Sequence, residues 1–369
     1  MKILHLIPSL NKGGAERIVL DICNQLITNE DTIVKLITFR SENSYSFLTN
    51  KQNWEVIPAK VIPSFSGKSL VDVKQLQAYI DTFQPDVIHS HLFETEMVLA
   101  HISLPVKTKR IVHFHDNMYQ FRNLHLNTLL NKTYITDFFE KRIVLKSYPK
   151  NTTAICVSKD AKQFADKALA RRISKKLLHN AIDLVRFQPN EKQLKTNEIT
   201  IIGSLVDKKG QQLAIDCIAE LKTRGVELHL NILGDGVNRM ALQNQIDQLS
   251  IQNSVTLHGN VEFPEQFLQS SSIYLHTAIY EPFGLVLIEA MACGLPVVCS
   301  DGKGNRDLIQ EGENGFMVWE RDPKLLADKI ELLFKNDNLR MEMGEKARVF
   351  AQEFGMKKYV DQLLLIYKS

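Results

Sequence analysis

Between Ile273 and Asp301 the chain spells out one unit that leaves few folds open. Ile273-Tyr274-Leu275 is a short apolar run that reads as a strand. Pro282 and Gly284 break the stretch after it. From Leu285 onward Leu285, Ile288, Ala292 and Leu295 recur at helical spacing. Gly294 stops that helix, and Pro296 cannot continue it. Val297-Val298-Cys299 is then a second buried strand.

The same alternation runs through the chain. Strands are expected at Ile3–Pro8, Ile33–Thr38, Trp54–Pro58, Asp86–His89, Arg110–His113 and Ala154–Val157. Helices are expected at Ala15–Ile27, Leu70–Thr82, Glu94–Ile102, Leu124–Val144 and Lys159–Ala170. Leu177 to Lys195 reads as a hinge whose polar end, from Asn190 to Asn197, is linker. A new set of strands comes next at Ile199–Gly203, Val226–Leu233, Val255–Val261, Val297–Cys299 and Phe316–Val318. Such alternation predicts α/β architecture, with parallel sheets covered by helices on both faces. At 369 residues the chain is long for one core and natural for two domains.

Other features set limits. The net charge of +3 is too small to argue for nucleic acid. The 5 cysteines form no Cys-x-x-Cys pair and sit mostly in apolar runs, as buried thiols of a reducing compartment do. The N-terminal stretch lacks the apolar core of a signal peptide, and no apolar run approaches the ~20 residues of a membrane span. A cytoplasmic protein, at most peripheral at the inner face of a membrane, is the expectation.

The chemistry concentrates at strand ends. Glu281 stands in the turn and Glu289 on the helix. Between them the backbone N–H groups of Gly284 and Leu285 open a helix N-terminus, which suits a phosphate. A carboxylate repels phosphate but accepts hydrogen bonds from sugar hydroxyls. Donors and acceptors together suit a ligand that is half phosphate and half polyol, as a nucleotide sugar is. For either glutamate alone, an ordinary helix residue is the simpler reading. Lys12-Gly13-Gly14 is a second phosphate-compatible turn, although a tight turn alone also accounts for it. His89-Ser90-His91 and His113-Phe114-His115-Asp116 fall at two further strand ends. Cleft lining, sheet packing and metal ligation are all open to them, but neither cluster has the spacing of a known zinc signature. Basic residues crowd Leu104 to Lys176, with aromatic residues between them. A solvated helix surface and a face for anionic lipid both fit that pattern.

The stretch from Glu281 to Asp301 resembles the donor-site signature of glycosyltransferase family 4, in which two glutamates seven residues apart flank a Phe-Gly-Leu turn. The likeness runs over nearly the whole chain, firmest from Ile201 to Val318. It implies the GT-B fold, with two Rossmann-like domains facing across a cleft. Residues 1–178 would form the acceptor domain and 196–350 the donor domain, with a final helix at 351–369 returning to the first. It further implies a retaining transferase that takes a hexose or N-acetylhexosamine from a nucleoside-diphosphate sugar, UDP foremost. The acceptor would be a glycan or lipid-linked glycan of cell-surface polysaccharide synthesis.

The resemblance also implies roles. Glu289 holds the ribose, Glu281 the donor sugar, and His115 approaches that sugar. Lys209 and the N–H groups around Phe283, Gly284, Leu285 and Gly14 hold the diphosphate. Gly234, Asn260 and Val261 surround the base. Gly13, Glu16 and His91 serve the acceptor side. Where the family has an arginine this chain has Ser204, so one cation is missing, and Lys208, Lys303 and Arg306 are the candidates to replace it. Ala181 and Asp307 are smaller departures. No Asp-x-Asp motif is present, so neither metal nor another cofactor is expected. A sugar-nucleotide epimerase or phosphorylase of the same fold, and a non-catalytic sugar-binding protein, are the competing classes.

Overall fold

The computed structural model describes residues 1–49, 54–64, 69–124, 128, 131–190 and 197–369. The chain forms two compact units, Met1–Asn180 together with Met356–Ser369, and Ala181–Gly355.

In the first unit the strands are β1 (Lys2–Ile7), β2 (Ile33–Thr38), β3 (Trp54–Val56), β4 (Lys60–Ile62), β5 (Leu70–Asp72), β6 (Val87–His91), β7 (Lys109–Phe114), β8 (Thr153–Cys156) and β9 (Ser174–Leu177). Seven of them make a parallel sheet in the order β3-β2-β1-β6-β7-β8-β9, while β4 and β5 pair antiparallel on their own. The helices are α1 (Gly14–Ile27), α2 (Ser46–Thr49), α3 (Lys74–Phe83), α4 (Phe93–Leu99), α5 (Lys132–Ser147) and α6 (Lys159–Ala168). The central strands are buried on both faces, which is why Ile3, Leu4, Leu6 and Ile7 can succeed one another almost without a polar break.

The second unit repeats the plan. Its strands are β10 (Glu198–Ile202), β11 (His229–Leu233), β12 (Val255–Gly259), β13 (Ile273–His276), β14 (Val297–Ser300) and β15 (Gly315–Val318), all parallel, in the order β12-β11-β10-β13-β14-β15. The helices are α7 (Gln211–Thr223), α8 (Arg239–Gln248), α9 (Pro264–Ser270), α10 (Leu285–Ala292), α11 (Pro323–Lys335) and α12 (Asp337–Ala351). The last helix, α13 (Met356–Lys368), belongs to the first unit and packs on α1. In each sheet the strand order reverses once, between β1 and β6 and between β10 and β13. Ligands of such sheets bind beyond the carboxyl ends of the strands at that reversal.

Several expectations are corrected. The helix expected over Leu70–Thr82 begins only at Lys74, because Leu70-Val71-Asp72 pairs with Lys60-Val61-Ile62. The helical spacing comes from Val73, Leu76 and Ile80 alone, the residues that reach the core. The helix expected to Ala170 ends at Ala168, and Ser174–Leu177, placed before the hinge, adds an edge strand. Its lysines are what an edge strand tolerates. The strand expected from Val226 starts at His229, and the one expected to end at His89 runs on to His91. Of the helix expected from Leu124, residues 125–127, 129 and 130 lie outside the described residues, as do 191–196 of the linker. The described part is α5, capped by Asn131, whose side chain accepts from the N–H groups of Thr133 and Tyr134.

Candidate functional site

In the second unit, the ends of β10 and β13 flank the reversal point. After β10 the chain turns through Gly203 and Ser204 into a single turn at Asp207–Lys209, then enters α7 through Gly210. Gly210 has φ 63°, and a Cβ there would lie 2.3 Å from the Thr277 carbonyl oxygen, so no other residue fits without displacement. That contact holds the Lys209 turn against the end of β13. Lys209 Nζ then reaches Glu281 Oε2 at 2.6 Å.

Glu281 is buried and tied down at both ends. Its N–H donates to the Gly302 carbonyl at 2.8 Å, and its own carbonyl accepts from Gly304 N at 3.0 Å. His276 Nε2 lies 3.2 Å from the same carboxylate oxygen. Burial alone would push this carboxyl upward. The Lys209 ammonium and the His276 contact prevail and hold it at about 2. It is an anion throughout the physiological range. Three residues on, Gly284 has φ 105° and opens α10 with no side-chain cap, leaving backbone donors of Leu285 and its neighbours for a ligand. Phe283 is buried beneath this turn, and Glu289 is half-buried one turn into α10.

The candidates of this unit thus divide. Lys209, Glu281, Phe283, Gly284 and Leu285 share the ends of β10 and β13. Gly234 closes on the neighbouring strand ends: its N–H donates to Gly259 O at 2.7 Å, and a Cβ on it would lie 2.1 Å from Gly203 O. Asn260 and Val261 come directly after Gly259, exposed and half-exposed. Ser204 is exposed and holds Gln211 only through its backbone carbonyl. Of the three cations considered for its place, Arg306 is committed to Asp301 by two bonds of 2.7 and 2.6 Å. Lys208 is exposed on the turn, its carbonyl accepting from Ile279 N. Lys303 stands beside Glu281 at φ 72°, ψ −69°, the centre of a γ-turn closed by Gly304 N to Gly302 O at 3.1 Å. A depression of ≈ 670 Å³ bordered by Trp319, Leu325 and Leu332 shares no residue with this group.

In the first unit, α1 starts at Gly14 with Gly13 as its uncapped N-terminal neighbour. Tyr45 clamps Gly13, accepting from its N–H at 3.0 Å and donating to its carbonyl at 2.9 Å. The Glu16 carboxylate folds back over Gly13 and is raised from its ordinary range, chiefly by burial. The histidines form a group of their own. His5 on β1, His89 and His91 on β6, His113 on β7 and His115 just after it stand on one face of the sheet, in register. All are buried, and burial lowers each of them, His5 and His115 to about 3. They are neutral imidazoles. His91, expected on the acceptor side, is 0% exposed and stands behind His115, with His91 Nδ1 2.8 Å from His115 Nε2. Two triads, His5/His89/His91 and His91/His113/His115, bring ligand atoms within 4.8 Å of one another.

Sequence reasoning passes over His276, Tyr45, His5 and Arg321, and expects of Tyr359–Tyr367 only that it packs on the first domain, with no role at the histidines. His276 and His5 carry a usable signal, a histidine within or ending an otherwise apolar strand. Arg321 donates to the Thr277 carbonyl at 3.0 Å beside Gly210, and Tyr367 reaches the histidines from α13. Both come from distant sequence, and nothing local marks them.

The family model described as Glycosyltransferase Family 4 matches residues 12–186, and that described as Glycosyl transferases group 1 matches residues 184–350. The chain belongs to glycosyltransferase family 4. A Campylobacter jejuni 4-alpha-N-acetylgalactosaminyltransferase named for an N-acetylgalactosamine-N,N'-diacetylbacillosaminyl-diphospho-undecaprenol acceptor is 32% identical over 49% of this chain and 50% of its own length. A second from that organism, an alpha-1,4-N-acetyl-D-galactosaminyltransferase named for a longer undecaprenol-linked glycan, is 25% identical over 99% of this chain and 97% of its own. The chain spans about half the length of the first curated relatives it matches. Among solved structures, Anabaena Alr3699/HepE in complex with UDP and glucose superimposes with a TM-score of 0.80 at 22% identity, covering 100% of both chains. The two parallel-sheet units of this family 4 protein are those of the GT-B fold.

Proposed function

We propose that this protein is a retaining glycosyltransferase that moves a hexose or N-acetylhexosamine from a UDP-sugar to a glycan, lipid-linked in the first instance. The observation that carries the reading is the Lys209–Glu281 pair beside the open N-terminus of α10. In it, a cation, free backbone donors and a permanent carboxylate meet at one strand reversal. That is the complement of a diphosphate joined to a sugar.

The donor binds the second unit. Its diphosphate lies on the N–H groups that open α10 and on Lys209, which Glu281 holds in place until the ligand arrives. Glu281 and Glu289 take sugar and ribose hydroxyls. No nucleophile is assigned. The acceptor hydroxyl attacks from the face that the leaving diphosphate occupies, and its proton passes to a phosphate oxygen. Bond breaking adds negative charge to the diphosphate, so a fixed ammonium and fixed dipoles interact more strongly in the transition state than in the ground state. The group transferred, the proton and the leaving group are then all accounted for without a metal.

The lipid-linked acceptor is inferred from the names of the Campylobacter relatives. Exposed Phe139, Arg142, Lys146 and Lys150 along and just beyond α5 suit an anionic bilayer surface. Lys141 and Arg122 do not contribute, since Lys141 is buried against Asn123 and Arg122 pairs with Asp137. Co-sedimentation with anionic vesicles should decline with salt, and equal binding to neutral vesicles would remove this part of the proposal.

The test of the whole is a thermal-shift screen of nucleotide sugars, because a ligand of the native state raises the melting temperature. One UDP-sugar should stand above UDP, and incubation with it should release UDP only when acceptor is present. Release without acceptor would point to an epimerase or phosphorylase of the same fold. No shift with any nucleotide sugar would end the proposal.

A further inference from the structure

The five histidines are not a loose cluster. They form two hydrogen-bonded rows stacked face to face and closed at one end by a tyrosine from the last helix. The first row runs from His5 Nδ1 to His91 Nε2 at 3.0 Å and from His91 Nδ1 to His115 Nε2 at 2.8 Å. The second runs from Tyr367 Oη to His89 Nδ1 at 2.6 Å and from His89 Nε2 to His113 Nδ1 at 3.1 Å. Tyr367 Oη also lies 3.4 Å from His5 Nε2, so one hydroxyl joins the rows. The rows stack, with 4.3 Å between the centroids of His89 and His91 and 4.0 Å between His113 and His115.

A neutral imidazole has one N–H and one lone pair. Each bond in a row therefore dictates the next. The direction is set where the donor is not an imidazole. A phenol donating to an imidazole nitrogen makes a short bond, and 2.6 Å is that length, whereas N–H to oxygen is ordinarily ~2.9 Å. Tyr367 thus donates to His89 Nδ1. His89 must carry its proton on Nε2 and donate to His113, which keeps its own proton on Nε2. The phenol oxygen can then only accept from His5, over the longer 3.4 Å. His5, His91 and His115 carry their protons on Nε2 in turn. The atoms left over are His113 Nε2 and His115 Nδ1, and these are the two row-end atoms that have no partner.

We propose that Tyr367 fixes the tautomers of all five histidines, and so leaves His115 with an open Nδ1 lone pair, an acceptor for a sugar hydroxyl. Tyr367 is a positioning residue that acts through His5 and His91. Only the role of the lone pair rests on the transferase reading; the tautomer assignment does not. A metal ion fits the same residues less well. The rings of His113 and His115 lie 12° from parallel at 4.0 Å, so their lone pairs run side by side rather than converging.

The test is two-bond 15N–1H correlation NMR on the full chain with labelled histidine, which reports which ring nitrogen bears the proton. In the unaltered protein all five should be Nε2–H. In Tyr367→Phe the bias is gone, and His91 and His115 should show both tautomers. In His5→Leu, chosen because it leaves the tyrosine and the second row intact, His89 and His113 should stay Nε2–H while His91 and His115 are released. Donor-saturated turnover of Tyr367→Phe should fall about tenfold with little change in donor KM. Nδ1–H on His115 in the unaltered protein, or identical tautomers in all three proteins, would overturn the proposal. So would Zn2+ binding that abolishes the inter-ring bonds. Released tautomers with unchanged turnover would instead uphold the assignment and refute the use of His115 by the substrate.

Discussion

Lys209 and Lys208 are neighbours in one turn with opposite surroundings. Lys209 is directed onto Glu281, while Lys208 is exposed. Lys209→Ala should lower kcat/KM by about a hundredfold, the scale of losing one charge-stabilising donor, and Lys208→Ala should change it far less. Steady-state rates with saturating acceptor measure both, and equal small effects would argue against the donor assignment. Lys303 invites a different substitution. Its γ-turn conformation, φ 72° and ψ −69°, strains any residue with a Cβ. Lys303→Gly should relieve more strain than it adds chain entropy, for a net gain of about 1 kcal/mol. If Lys303 supplies the cation missing at Ser204, UDP affinity should fall in the same variant. Urea unfolding and UDP titration separate the two. A variant less stable than its parent would mean that the strain is not there. None of this conformation is legible in the sequence, where Lys303 is one of three interchangeable cations. All three are exposed, and what sorts them is tertiary: a pair with Asp301 for Arg306 and a turn beside Glu281 for Lys303.

At the scale of elements, α4 is held to the sheet by charge as well as by apolar contact. Glu96 on α4 accepts from Arg110 on β7 at 2.8 Å and from the Tyr148 hydroxyl at 2.7 Å, all three buried. Arg110 also lies over the Tyr148 ring, 4.7 Å from its centroid. Glu96→Ala would leave the guanidinium buried without its counter-charge and should cost about 3–5 kcal/mol, read from the denaturation midpoint. A loss below about 1 kcal/mol would show that water reaches Arg110. In the sequence Arg110 is one more residue of a basic stretch, because periodicity reports which face an element turns inward and not which charges pair there. The same limit explains the strands. Those buried on both faces are plain as apolar runs. Ser174–Leu177 is invisible, since an edge strand needs no apolar pattern. His91 falls outside its expected strand because two histidines interrupt the run, yet their spacing of two is what puts them on one face.

For the molecule as a whole, the two units should answer acid differently. The stacked histidines are held below their ordinary 6.5, first by burial and then by one another. Below pH 6.5 an unfolded chain takes up protons on these side chains that the folded unit refuses. Their contribution to stability is therefore present above 6.5 and lost as pH falls, by up to about 1.4 kcal/mol per pH unit for each histidine. The second unit has Glu281, with its carboxyl lowered to about 2. Its contribution stands above the ordinary 4.5 and fades only as pH falls toward 2. Among the described residues the second unit also holds one lowered histidine, His258, against five in the first, so melting measured between pH 7.5 and 4 should show the first unit's transition moving down from about pH 6.5 much more steeply than the second's. Two transitions that move together would contradict this.

Tyr367 belongs to the first unit, yet 175 residues of the second, Ala181 to Gly355, are made before it. As the chain leaves the ribosome, the sheet bearing the five histidines can pair its strands early. The hydroxyl that orders their protons arrives only after the second unit has been made. Until then the first unit waits on a contact 362 residues away from His5, while the second closes entirely on itself. Folding order would then run against sequence order. The unit whose residues come first is finished last, and its completion waits on Tyr367.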